Sequence, residues 1–245
     1  MLEIKKYTEF FVANWKMNGS INFIDNFLSK LVLNDINLEN TCNIICPPSP
    51  YIQYVSKRLE GFYIGGQDCS IFEDGAYTGD VSASMLTDMN CNFCIVGHSE
   101  RRKNFYETNE DVLNKASNCL QHGINPIICI GETLEQKKKN LTKEILSRQI
   151  LESIPKNSND NNSIIAYEPV WAIGTGLTPK LEEISEIHHF IKNEISGFKK
   201  FKVIYGGSVK SSNSRNILKL ENVDGILIGG ASLDVEDLNN ILLCQ

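Results

Sequence analysis

Three side chains in this sequence could move protons or steady negative charge, and each sits at or just past the end of an apolar run. They are Lys16 in "ANWKMNGS", His98 in "FCIVGHSE" and Glu168 in "IIAYEPVW". Taken alone, Glu168 reads first as a rim carboxylate paired with a Lys or Arg. Its second reading is a general base: the neighbouring Val170, Trp171 and Ile173 would desolvate it, and burial disfavours the charged carboxylate and raises its basicity. His98 reads either as a satisfied core histidine or as a proton donor. Lys16 reads either as a solvated lysine or, with Asn14 two residues before it, as a fixed cation facing an anion or a developing oxyanion.

Two glycine pairs, Gly206-Gly207 and Gly229-Gly230, follow later apolar runs, and Ser208 adds a hydroxyl. Paired glycines let the backbone approach a ligand closely, and N–H groups at such turns suit a phosphate. Other motifs carry less. "CNFC" (91–94) has the C-x-x-C spacing but neither a second pair nor nearby histidines, and it enters a buried run, so it reads as core thiols. "GTGLTP" (174–179) lacks the third glycine of a dinucleotide fingerprint. "KKK" (137–139) reads as a solvated helix face. His122, His188 and His189 read as surface or capping residues.

What positions these groups is a set of eight short apolar runs: "FFVANW" (10–15), "NIICPP" (43–48), "FYIGGQD" (62–68), "FCIVGH" (93–98), "NPIICIG" (125–131), "IIAYEP" (164–169), "KVIYGG" (202–207) and "GILIGG" (225–230). They lack polar alternation, as strands buried on both faces do. Helical spacing appears between them, as in Ile21-Ile24-Phe27-Leu28-Leu31, Val112-Ala116-Leu120, Leu141-Ile145-Ile150 and Ile184-Ile187-Ile191. Eight strand–helix units in 245 residues predict an α/β fold, a closed (β/α)8 barrel of parallel strands surrounded by helices. The polar patch "KNSNDNNS" (156–163) reads as a loop and nothing resembles a linker, so 1–245 is expected to form a single domain. In such a barrel all strand C-termini open on one face, where residues distant in sequence converge.

The chain carries 24 Lys+Arg against 30 Asp+Glu, a net charge of −6, which disfavours general binding to nucleic acid or an anionic membrane. The N-terminus lacks an apolar signal segment, and no run approaches a membrane span. Eight cysteines, several inside apolar runs, read as reduced core thiols of a cytoplasmic protein.

The motifs "NWKMNG" (14–19), "GHSERR" (97–102), "AYEPVWAIGTG" (166–176), "YGGSV" (205–209) and "DGILIGGASL" (224–233) together resemble the triosephosphate isomerase family. "GGQDCS" (65–70), "DGAYTGD" (74–80) and "CIGETLEQ" (129–136) agree with them, so the resemblance spans essentially the whole chain. It implies a TIM barrel that interconverts dihydroxyacetone phosphate and D-glyceraldehyde 3-phosphate in glycolysis and gluconeogenesis, with no cofactor and no metal. By the same resemblance Glu168 abstracts the α-proton and His98, as neutral imidazole, polarises the carbonyl. Lys16 steadies the phosphate and enediolate, Asn14 holds the carbonyl oxygen, and Glu100 contacts the lysine. Gly174, Ser208, Gly229 and Gly230 bind phosphate. Pro169, Val170, Trp171, Ala172, Ile173, Gly174, Thr175 and Gly176 form a lid. Thr78 buttresses the partner's site in a homodimer.

The sequence departs from the family pattern at three places. Ala13 stands where a glycine is common, Asp80 replaces a glutamate, and the lid's far hinge reads Leu177-Thr178-Pro179. Pro179 restricts Thr178 towards extended conformations. Two rival readings remain weaker. A Schiff-base aldolase needs a lysine on a central strand, and "IIAYEP" has none. A barrel kept only for binding would have shed Lys16, His98 or Glu168.

Overall fold

The computed structural model describes residues 1–32, 39–173, 177–195 and 197–243. Eight parallel strands close into a barrel in sequence order. They are β1 (Glu9–Asn14), β2 (Thr41–Cys46), β3 (Tyr63–Gly66), β4 (Phe93–Val96), β5 (Asn125–Ile130), β6 (Ile164–Tyr167), β7 (Lys202–Tyr205) and β8 (Gly225–Ile228). β1 seals the ring by pairing with both neighbours: Val12 lies opposite Ile44 on one side and Leu227 on the other.

The absence of polar alternation has a direct cause. Phe10, Val12, Ile44, Phe93, Ile95, Ile127, Ile164, Ile204 and Leu227 fill the barrel interior. The alternate residues Phe11, Ala13, Ile45, Val96, Ile128, Ile165, Val203 and Ile226 pack outward against the helices. Both faces of each strand therefore bury apolar side chains, each contributing about 1.5–3 kcal/mol relative to exposure. Ile4 and Tyr7 join the interior cluster, and Tyr7 meets Tyr63 hydroxyl to hydroxyl.

The described α-helices are α1 (Ile21–Lys30), α2 (Ile52–Ser56), α3 (Ala83–Asp88), α4 (Ser99–Asn104), α5 (Asn109–Gln121), α6 (Leu134–Lys138), α7 (Thr142–Ser153), α8 (Leu181–His189), α9 (Ser211–Leu218) and α10 (Val235–Leu242). Local chemistry sets several starts: Ser20 caps α1, and Thr108 with Asp111 closes a capping box on α5. The period read at Val112-Ala116-Leu120 is the buried face of α5. Leu141 caps α7 rather than lying within it. α8 widens into a π-turn over Phe190–Glu194, which carries Ile191 into the core.

One expectation about the histidines fails. His188 is fully buried on α8, its Nδ1 3.1 Å from the Asn222 carbonyl and its ring edge-on to Tyr167. Burial lowers its pKa to about 4, which keeps it neutral. Nothing in the local pattern of α8 signals this, because the partner carbonyl arrives 34 residues later.

Candidate active site

The C-terminal ends of β1, β4, β6, β7 and β8 surround a cavity of about 490 Å³ lined in part by Asn14, Lys16, His98, Glu168, Gly206 and Gly229. Ser208 and Gly230 line it too. The groups expected to act together thus share one space, although residues 16 and 168 lie far apart in sequence.

Lys16 is held in a backbone conformation that few side-chain-bearing residues adopt, with φ at 53°. Its N–H donates to Asn14 Oδ1 at 3.0 Å, and Gln67 Nε2 donates at 2.8 Å to both the Lys16 and Cys46 carbonyls. This locks the turn that carries the lysine into the cavity, and its ammonium pairs with Glu100 at 2.5 Å. Asn14 is itself buried. Gln67 had no assigned role in the sequence. Its only signal is a polar residue directly after the "IGG" of the third apolar run.

His98 is the N-cap of α4, and the Glu100 N–H donates to its Nδ1 at 3.2 Å. With that lone pair engaged, the imidazole proton sits on Nε2, which lies 2.9 Å from Glu168 Oε1. Burial alone depresses the His98 pKa, but the carboxylate of Glu168 outweighs it and the net shift is upward. Arg102 braces the turn below, donating to the Gly97 carbonyl at 2.9 Å and to Asn109 at 2.7 Å.

Glu168 is 1% exposed, so it is not an ordinary rim carboxylate. Two expectations about it need correction. Burial, the largest influence, does push its pKa up, but the His98 imidazole, the Ser99 N–H at 2.9 Å and Lys16 together bring it below the ordinary value. In this arrangement the carboxylate is a weakened base. Nor does Trp171 cover it. The indole donates to Glu132 Oε1 at 2.7 Å, and Tyr167 donates to the same buried carboxylate. Glu168 packs instead against glycines. A Cβ on Gly206 would lie 3.0 Å from Glu168 Cγ, and one on Gly131 would strike the Glu168 carbonyl. These glycines let neighbouring strand ends close on the base.

Of the expected lid, Val170–Ala172 forms one 3-10 turn after Pro169. Ile173 borders the cavity, and Ser208 Oγ donates to the Ala172 carbonyl at 2.7 Å. Gly174, Thr175 and Gly176 lie outside the described residues. Lys137 is not the solvated residue that "KKK" suggested: its ammonium sits 3.7 Å from the Trp171 ring centroid and 2.9 Å from Glu183 Oε1. Thr78 is exposed on the 72–80 loop, outside the cavity.

The architecture agrees with comparisons to known proteins. The triosephosphate isomerase family model matches residues 9–244. A Francisella tularensis subsp. mediasiatica protein named triosephosphate isomerase is 40% identical over 239 residues, covering 94% of each chain. One from Nitrosomonas europaea is 40% identical over 243 residues, covering 96% of each. The crystal structure of triosephosphate isomerase from Bartonella henselae superposes with a TM-score of 0.87 at 35% identity, covering 97% of this chain and 98% of that one. The chain therefore belongs to the triosephosphate isomerase family, isomerases that interconvert dihydroxyacetone phosphate and D-glyceraldehyde 3-phosphate.

Proposed function

We propose that Glu168, His98, Lys16 and Asn14 carry this isomerisation, with Glu168 as the base that moves a proton between adjacent substrate carbons. The observation that supports the assignment is the convergence of all four on one cavity beside the two glycine pairs. The Gly229 and Gly230 backbone, with Ser208, takes the phosphate, and Gly174 joins them from the lid. Lys16, on its strained turn, neutralises charge that grows on the substrate oxygens.

The contacts of Glu168 suggest how its strength is switched. While it faces His98 and accepts from the Ser99 N–H it is a weak base. Turning towards the substrate removes both contacts, burial then dominates, and its proton affinity rises. The same movement takes away the anion that raises the His98 pKa. His98 is left as a neutral imidazole whose Nε2 proton is free to polarise a carbonyl, with Nδ1 still held by the α4 N-terminus. Closure of residues 169–176 excludes water and protects the enediolate.

Proton transfer among these groups needs no cofactor or metal. Two copies associate through the 72–80 loop, where Phe72 and Tyr77 stack at 3.7 Å and remain 39% and 43% exposed. Thr78 then supports the partner's site. The seven described cysteines are free and buried, which suits a reducing cytoplasm and a role in glycolysis and gluconeogenesis. No described helix is long and apolar enough to cross a membrane. A coupled assay with D-glyceraldehyde 3-phosphate tests the reading, run with and without a metal chelator. Equal isomerisation in both is expected. No activity would overturn the assignment, and loss on chelation would overturn the metal-free chemistry.

A further inference from the structure

Three sulfur atoms meet in the outer core, and none of the three residues lines the cavity described above. Cys69 follows β3, Cys94 lies within β4 and Cys119 is on α5, and they are 2%, 0% and 0% exposed. The Cys69 and Cys119 Sγ atoms are 3.6 Å apart, and all three sulfurs lie within 4.8 Å of one another. All three thiols are free. Their other described contacts are weak ones, Cys69 to the Lys115 carbonyl at 3.7 Å and Cys94 to the Ile95 carbonyl at 3.5 Å.

We propose that Cys69, Cys94 and Cys119 form a three-thiolate site for a soft monovalent cation, copper(I). Metal–sulfur bonds of about 2.3 Å in a trigonal arrangement place the sulfurs about 4 Å apart. The trio spans that spacing and closes on a metal by small side-chain rotations. Thiolates favour soft cations, and no histidine or carboxylate of the described residues joins the group as the fourth ligand of a tetrahedral zinc site. Three thiols release three protons as the cation binds, with no change of oxidation state, and the complex carries two negative charges. Lys115, one turn before Cys119, and Arg101 stand beside the group in an ion-pair network with Asp68 and Glu107. Two cations and two carboxylates balance one another there, so the metal–sulfur bonds themselves must outweigh the cost of burying the added charge. A second cavity of about 540 Å³ is lined by Cys69, Arg101 and Lys115 and also by Phe72, Gly79 and Asp80 of the proposed dimer loop, so a metal enters there before two copies associate.

Anaerobic titration of the reduced, folded protein against the copper(I)–bicinchoninate complex tests this. The parent should withdraw one copper(I) per chain and melt at a higher temperature once loaded. Cys94→Ala and Cys119→Ala should withdraw none, and Cys46→Ala, inside the barrel, should behave as the parent. Should Cys94→Ala fail to fold, Cys94→Val refills the space without the sulfur. The proposal is overturned if the parent takes up no copper(I). It is equally overturned if the Cys94 and Cys119 variants bind as the parent does, or if Cys46→Ala loses binding as they do.

Discussion

Replacing Gly206 by alanine probes the placement of the base without touching it. The added Cβ would sit 3.0 Å from Glu168 Cγ, 3.3 Å from the Tyr167 carbonyl and 3.4 Å from Leu227 Cδ2. Carbon atoms rest at about 3.5–4.0 Å, so the Glu168 side chain must retreat by roughly 0.5–1 Å. Misplacing a catalytic group by about 1 Å costs on the order of 10²-fold. We therefore expect kcat to fall by about 10- to 100-fold, equivalent to about 1.4–2.7 kcal/mol of transition-state stabilisation. KM should change much less, because the phosphate is held by other residues. The coupled assay gives both constants, and urea unfolding separates this loss from the overpacking penalty of about 1–3 kcal/mol. An undiminished kcat in a folded Gly206→Ala protein would refute the idea that this glycine positions the base.

Three further outcomes follow from the same geometry. His188 stays neutral in the fold with a pKa of about 4, against about 6.5 when unfolded. Its contribution to stability is therefore complete above pH 6.5 and is lost as pH falls towards 4. Between pH 8 and pH 5 the loss is about 2 kcal/mol, so urea unfolding of His188→Gln should show a pH dependence smaller by that amount, and identical dependences would contradict it. Lys137→Met removes the cation over Trp171 and its pair with Glu183. A contact worth about 0.5–1 kcal/mol shifts the lid by roughly 2- to 5-fold, readable in kcat and Trp171 fluorescence, and unchanged values in both would count against a clamp. Replacing Leu177 and Pro179 together should alter kcat more than the melting temperature. Unchanged kinetics with a lowered melting temperature would show that the pair serves the fold instead.

The barrel was legible because its strands bury both faces, which leaves uninterrupted apolar runs whose ends mark the mouth. Lys16, His98 and Glu168 were legible for the same reason, as polar groups closing such runs. What those groups touch was not. The Glu168 contacts come from the end of β4 and the start of α4, and they reverse the pKa shift that burial alone predicts. Trp171 follows Glu168 by three residues, yet its hydrogen bond goes to Glu132 beyond β5. His188 and Lys137 looked like surface residues because a helix segment does not reveal which loop or side chain packs on it. The thiol group escaped for a similar reason: spacing drew attention to Cys91 with Cys94, whereas Cys94 meets Cys69 and Cys119 from two other elements.

The most direct test of Glu168 as the proton-moving base is conversion of D-glyceraldehyde 3-phosphate in deuterium oxide by the parent and by Glu168→Gln. The parent should place deuterium on the carbon that receives the proton. The folded variant should do so at least about 10²-fold more slowly. A parent-like rate from the folded variant would contradict the account, whereas any product formed without deuterium reports only that the base returned its proton before exchange with solvent.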